Sequence, residues 1–235
     1  MQGKRISMLL HFTQNFSILE SILETSFLQL GYCTEYFGHK DKVISSSAHP
    51  MVCFSEYEDF ELEAKEITYG GYAIGLSKCW AVEKGLSPVQ YVEKNSQAAI
   101  GLSKLLEARQ KNGKDTIPKR LRLPIMQIKC FTKHETGHNS YFNEDNFCFK
   151  SENEWRYVPT KNQIGGGYIS LNKNTFLKKK DFYNNKLKPY PLKFEANDVI
   201  ALYVQTEKQK SLLSKKYPHL TNVIDLAKWK VAAKV

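Results

Sequence analysis

Two carboxylates and a guanidinium stand at alternate positions in Ser151-Glu152-Asn153-Glu154-Trp155-Arg156. Read as a strand, this segment puts Glu152, Glu154 and Arg156 on one face and Asn153, Trp155 and Tyr157 on the other. Three ionised side chains in a row are costly to bury without partners. They therefore point either to a cleft or to an ion-pair network. In a cleft, Glu154 could stabilise a developing positive charge and Glu152 could assist as a base. In a network, the same groups would balance Arg156 or the lysines of a neighbouring strand. A second candidate is His11-Phe12-Thr13, at the end of an apolar run over residues 6–12. His11 and Thr13 share a face there, placed to contact a ligand or to hydrogen-bond within the core.

Several other chemistries lack support. There is no GxSxG motif, and no cysteine sits in an electropositive motif. His134 and His138 are four apart but lack the acidic residue of a HExxH helix, so no metal is expected. Gly165-Gly166-Gly167 has no Lys-Ser/Thr after it and is no phosphate loop. The five cysteines (33, 53, 79, 130 and 148) show no CxxC spacing. Their odd count reads as reduced thiols in a cytoplasmic protein. Cys53, Cys130 and Cys148 lie in apolar runs and are expected to act as small core residues. No apolar run approaches the roughly 18 residues that span a bilayer, so no membrane association is expected.

The elements that must position these residues follow from periodicity. A buried strand at 6–12 leads into a helix over Phe16–Thr25, with Leu19, Ile22 and Leu23 at helical spacing. Further expectations are a short strand at 51–55, an acidic helix at 56–66 and a Tyr69-Gly70-Gly71-Tyr72 turn into a strand at 73–76. A helix at 96–111 precedes a strand at 124–131, a polar loop at 133–145 and the glutamate-bearing strand at 147–158. Val199–Val204 reads as a strand, 206–216 as a lysine-rich helix and 226–233 as a terminal helix. Strands and helices do not alternate regularly, which selects an α+β fold of mixed sheets around a central cleft with flanking helices. The chain reads as one domain over 1–235, with a core at 5–158 and a basic C-terminal extension at 159–235. The net charge of +10 is concentrated there and includes Lys178, Lys179 and Lys180. Aromatic residues interleave with these lysines, which suits a nucleic acid or an acidic protein as partner. A solvated lysine-rich face is the alternative.

The chain resembles the AbiGi-type family of abortive-infection proteins. The resemblance is carried by Leu10-His11-Phe12-Thr13, Leu19-Glu20-Ser21-Ile22-Leu23, Pro50-Met51-Val52-Cys53-Phe54-Ser55, Tyr69-Gly70-Gly71-Tyr72, Trp80, Gly85 and Glu152-Asn153-Glu154-Trp155-Arg156. It covers about residues 6 to 158 and implies an antitoxin role in phage resistance, with a cognate toxin as partner. More distantly, a strand ending in His-x-Thr and a late strand bearing a glutamate are similar to the ADP-ribosyltransferase fold, including the DarT-type enzymes. That likeness implies NAD as a substrate and no metal. His11 would contact the NAD ribose with help from Thr13, and Tyr69 or Tyr72 would stack on nicotinamide. Ser55 and Arg156 would complete the NAD contacts, Glu154 would be the catalytic glutamate and Glu152 the first residue of an ExE pair. The serine-threonine-serine strand of the arginine-modifying transferases has no counterpart, because Ser45-Ser46-Ser47 is expected in a loop. Two functions stand side by side: an NAD-consuming effector of anti-phage defence, or a non-catalytic antitoxin or phage sensor on the same fold.

Overall fold

The computed structural model describes residues 8–40, 42–110, 117–139 and 142–232. At its centre is a mixed sheet of nine strands. Seven run in the order Ile224–Leu226, Val199–Val204, Tyr72–Leu76, Met8–Thr13, Lys42–Tyr57, Glu154–Tyr157 and Ser87–Pro88. Gly31–His39 and Leu171–Asn172 pair with the remaining length of Lys42–Tyr57. Neighbours in this sheet are antiparallel except Val199–Val204 and Ile224–Leu226, which run parallel. With helices packed against these strands, the fold is α+β.

The apolar run of the first strand is explained by burial on both faces. Leu9 joins Leu19, Ile22, Leu23, Ile74 and Leu202 in the largest core. Met8 and Leu10 point the other way, into a second core with Tyr57, Leu62, Ala73, Tyr203 and Trp229. Helix Phe16–Thr25 closes the first core with its buried Leu19, Ile22 and Leu23, although Asn15 makes no capping bond. Burying each such side chain contributes roughly 1.5–3 kcal/mol, more than the ~1 kcal/mol that a cap supplies.

Lys42–Tyr57 is 16 residues long and creates the cleft by changing partners. Near its end Ser55 stands opposite Leu10 of the first strand. Further back Met51 stands opposite Gly31 of Gly31–His39. Between these two pairings the ladder is interrupted, and the Cys53 carbonyl accepts a hydrogen bond from His11 Nδ1 at 2.9 Å. A side chain thus satisfies a backbone acceptor that the split sheet leaves open. On the opposite edge Glu154–Tyr157 pairs continuously with residues 55 to 52.

Several local expectations are corrected. The strand at 51–55 is only the last part of Lys42–Tyr57, and Ser45, Ser46 and Ser47 lie on that strand rather than in a loop. Residues 124–131 are not extended: helix Lys119–Cys130 contains Pro124 and buries Ile125, Met126, Lys129 and Cys130. Ile125 and Met126 pack on Ala99, Leu102 and Leu106 of helix Gln97–Gln110, so tertiary contact overrides the local proline signal. The acidic 56–66 stretch holds a 3-10 turn, Asp59–Ala64, and the polar 133–145 region contains the hairpin of Thr136–Asn139 with Glu144–Cys148. Instead of a terminal helix, Lys230–Val231 pairs in parallel with Glu66–Ile67. Ala233 lies outside the described residues. The part beyond residue 158 supplies Val199–Val204 to the sheet, and Phe176, Leu187 and Leu192 to the largest core.

Candidate functional site

The split in the sheet opens into a cavity of about 500 Å³. His11, Ser55, Tyr69, Glu152, Glu154 and Arg156 all line it, joined by Gln29, Cys33, Glu35, Cys53 and Lys133. Strand alternation places Glu154 and Arg156 on the cleft side, while Trp155 and Tyr157 pack into the largest core. Glu152 arrives differently. It ends a 3-10 turn, Phe149–Glu152, and Asn153 then takes the left-handed conformation with φ +44°. The expected single strand face is therefore broken at Asn153. The two carboxylates still converge, because Lys133 reaches Glu152 at 2.7 Å and Glu154 at 3.3 Å.

Tyr69 enters from a turn that requires glycine. Gly70 has φ +135°, and a Cβ there would lie 2.0 Å from the Thr13 carbonyl oxygen. This close approach directs the Tyr69 hydroxyl to Glu152 Oε1, to which it donates at 2.8 Å. Half of Tyr69 is open to solvent, yet its hydroxyl end is enclosed; burial and the Glu152 charge push its pKa up.

Arg156 is the centre of the network and is 1% exposed. Its Nε donates to Glu154 Oε1 at 2.8 Å, and one terminal nitrogen to Glu154 Oε2 at 3.0 Å and to Glu35 Oε1. The other terminal nitrogen donates to Glu35 Oε2 at 3.2 Å and to the Cys130 carbonyl. All five N–H groups of the guanidinium are thereby used. The fork geometry makes these charge-assisted bonds strong. Burial alone would raise the Glu154 carboxyl, but Arg156 and Lys133 outweigh it and hold the pKa at about 2. Burial would lower the Lys133 ammonium, but Glu154 and Glu152 raise it. Burial lowers the pKa of His11, so it is a neutral imidazole whose Nδ1–H is committed to Cys53.

Thr13 and Tyr72 do not reach the cleft, contrary to their expected roles. They pair with each other in the sheet beyond the split. Thr13 is buried with no hydrogen-bond partner for its hydroxyl among the described residues, and the Tyr72 hydroxyl accepts from Gln209 Nε2 at 3.0 Å. Cys130 is buried as expected, Cys53 lines the cleft and Cys148 is exposed. Lys178, Lys179 and Lys180 are exposed on the short helices Lys173–Lys178 and Lys180–Asn185 and at their junction, away from the cleft lining.

Glu35, Lys133 and Cys33 were not singled out from the sequence. The alternation of Cys33 and Glu35 with Tyr32 and Tyr36 in Gly31–His39 was the available signal. Beside Glu35, the paired residue Ser47 belongs to a buried cluster with Ser45, His49 and Lys129. Lys129 Nζ contacts Ser47 Oγ at 3.0 Å and His49 Nε2 at 2.9 Å, and His49 Nδ1 donates to the Ile169 carbonyl at 3.0 Å. Burial first, then the Lys129 charge, lowers the His49 pKa to about 3, and burial lowers that of Lys129. A larger hollow of about 760 Å³ lies elsewhere, lined by Asp59, Tyr203, Lys210 and Asp225, and contains none of the expected site residues. Among the described residues no group of three or more His, Cys, Asp or Glu side chains is placed to hold a metal ion.

Residues 25–205 match the family model described as "Putative abortive phage resistance protein AbiGi, antitoxin". The chain belongs to the AbiGi family. The matched span includes Glu35, Tyr69, Lys133, Glu152, Glu154 and Arg156, starts after the His11 segment and runs well past residue 158. Within this AbiGi member, the network is therefore family territory while the His11 strand lies before the match. No curated protein and no solved structure matches the chain. Among the described residues no helix is long and apolar enough to cross a membrane.

Proposed function

We propose that this chain serves abortive phage resistance as a binding protein of the antitoxin kind, engaging a cognate toxin rather than turning over a substrate. The observation that carries this reading is the saturation of the Glu154–Arg156 network. Every Arg156 donor is spent, and Glu154 takes two bonds from Arg156 and one from Lys133. A carboxylate has about four lone-pair sites, so three are filled and both oxygens are held by cations, which leaves Glu154 little capacity to take up a sugar hydroxyl. The cleft's three carboxylates also outnumber its two cations, Lys133 and Arg156. Such a balance opposes a pyrophosphate and suits a partner offering N–H donors or positive charge.

A second reading is favoured by a separate observation: His11, Ser55, Tyr69, Glu152 and Glu154 line one cavity despite their distance in sequence. In that reading the chain is an ADP-ribosyltransferase-like effector that uses NAD to modify nucleic acid or protein. Co-expression with the toxin of its own defence system, alongside incubation of the purified chain with labelled NAD and a lysate, separates the two. Restored growth without label transfer is the expected result. Label transfer abolished by Glu152→Gln at an unchanged melting temperature would establish the transferase. Failure to restore growth would overturn the antitoxin reading.

A further inference from the structure

We propose that the basic lobe formed by residues 168–193 is a binding surface for single-stranded nucleic acid. Residues 173–193 carry seven lysines against one acidic residue, Asp181. Among the described residues none of these seven, from Lys173 to Lys193, takes part in a salt bridge, whereas Lys42, Lys78, Lys133, Lys150, Lys210, Lys216 and Lys228 elsewhere do. The positive charge of the lobe is therefore uncompensated within the fold, and phosphates are its natural counter-charge.

The lobe is held firmly. Phe176, Leu187, Leu192 and Phe194 are buried in the largest core. Tyr32 ties it to the sheet: its amide donates to Asn184 Oδ1 at 3.0 Å, and its hydroxyl donates to the Tyr168 carbonyl at 2.6 Å. On this fixed base, aromatic rings face solvent among the lysines. Tyr36 is 56% exposed, Tyr168 61% and Phe182 51%. The Lys173 ammonium sits 3.9 Å from the centre of the Tyr36 ring, and that of Lys186 4.4 Å from the Phe182 ring. Exposed rings flanked by cations that no carboxylate neutralises match the recognition of unstacked bases with their phosphates, where stacking and charge act together. An acidic protein would use the lysines but leave the rings without a role, which favours nucleic acid.

This surface is separate from the cleft and does not rest on the antitoxin reading. Cys33 and Glu35 face the cleft, and alternation sends Tyr32 and Tyr36 of the same strand to the other side. Because Lys178, Lys179, Lys180 and Phe182 are exposed, variants there should keep the wild-type melting temperature.

The test is fluorescence anisotropy of the full chain with labelled 20-nucleotide oligo(dT) and oligo(U) across a salt series. Wild type should bind, with affinity falling as salt rises. Replacing Lys178, Lys179 and Lys180 by alanine should weaken binding at least tenfold. It should also make the log–log salt slope shallower by about 2, from roughly 0.7 per lost phosphate contact on a single strand. Phe182→Ala should cost about tenfold in affinity with the slope unchanged, as expected for lost stacking. No binding at low salt, or triple-variant affinity equal to wild type, would overturn the proposal. Competition by polyglutamate as strong as by unlabelled oligonucleotide would transfer the surface to an acidic protein partner and overturn it equally.

Discussion

Glu154→Gln separates a carboxylate that holds the fold from one that performs chemistry. The two side chains are nearly isosteric, so the change removes the charge and little else. In the folded chain the Glu154 carboxyl titrates at about 2 against an ordinary 4.5. That difference corresponds to about 3 kcal/mol of stability at neutral pH. It agrees with the roughly 3–5 kcal/mol typical of breaking a buried pair and leaving its partner uncompensated. At about 2–4 °C per kcal/mol for a chain of this size, the melting temperature should fall by about 6–12 °C. The sign with pH follows from the depressed value. A carboxyl held below its unfolded pKa stabilises above that pKa, and the contribution is lost as pH falls from about 4.5 towards 2. Urea unfolding at pH 7 and at pH 3 should therefore show a wide gap between wild type and variant that narrows in acid. A melting temperature equal to wild type at pH 7, or a gap constant between the two pH values, would refute the reasoning and return Glu154 to the list of available catalytic groups.

Gly70→Ala should destabilise by more than about 2 kcal/mol, because the new Cβ would collide with the Thr13 carbonyl in a backbone conformation that disfavours L side chains; denaturant midpoints check it. Lys129→Met should leave stability unchanged or raise it, since it removes a buried ammonium whose hydrogen-bond partners, Ser47 and His49, still satisfy each other at 3.0 Å. A loss of more than about 2 kcal/mol on thermal unfolding would show instead that the charge of Lys129 is needed beside Glu35.

What the sequence disclosed, it disclosed through strong periodicity. Helix Phe16–Thr25 and strand Val199–Val204 have the bounds that their apolar patterns give. The α+β class followed from the irregular order of the elements. Failures cluster where long-range packing decides. Pro124 suggests a break, yet the helix continues through it because Ile125 and Met126 have a partner helix to bury against. Ser45, Ser46 and Ser47 look like a loop because what holds them in a strand, pairing with Phe37, Tyr36 and Glu35 and the contact of Ser47 with Lys129, is not written in their own polar types. The site was legible in part. Glu154 and Arg156 followed from alternation, and Glu152 reached the right place for the wrong reason, through the turn at Asn153. Lys133 was out of reach of local spacing and Glu35 offered only the alternation of its strand; pairing of Gly31–His39 with Lys42–Tyr57 accompanies the Glu35 contact to Arg156, and Lys133 reaches Glu154.

That split also changes how the cleft's charged groups should be weighed. A sheet whose strand exchanges one neighbour for another leaves backbone and side-chain polar groups facing a gap, and each needs a partner. His11 supplies one for Cys53, and Arg156, from the strand on the opposite edge, takes Glu154 of its own strand and Glu35 of Gly31–His39. Carboxylates would be required here by the architecture alone, so their presence is weak evidence for catalysis. The informative group is one whose capacity is unspent. With Nδ1 committed to Cys53 and burial keeping the ring neutral, His11 Nε2 is an uncharged acceptor without a hydrogen bond among the described residues. An acceptor of that kind, beside a surplus of carboxylates, is satisfied by an arriving N–H or O–H. A protein N–H and a sugar hydroxyl both meet that need, whereas a phosphate, which brings only acceptors at neutral pH, does not.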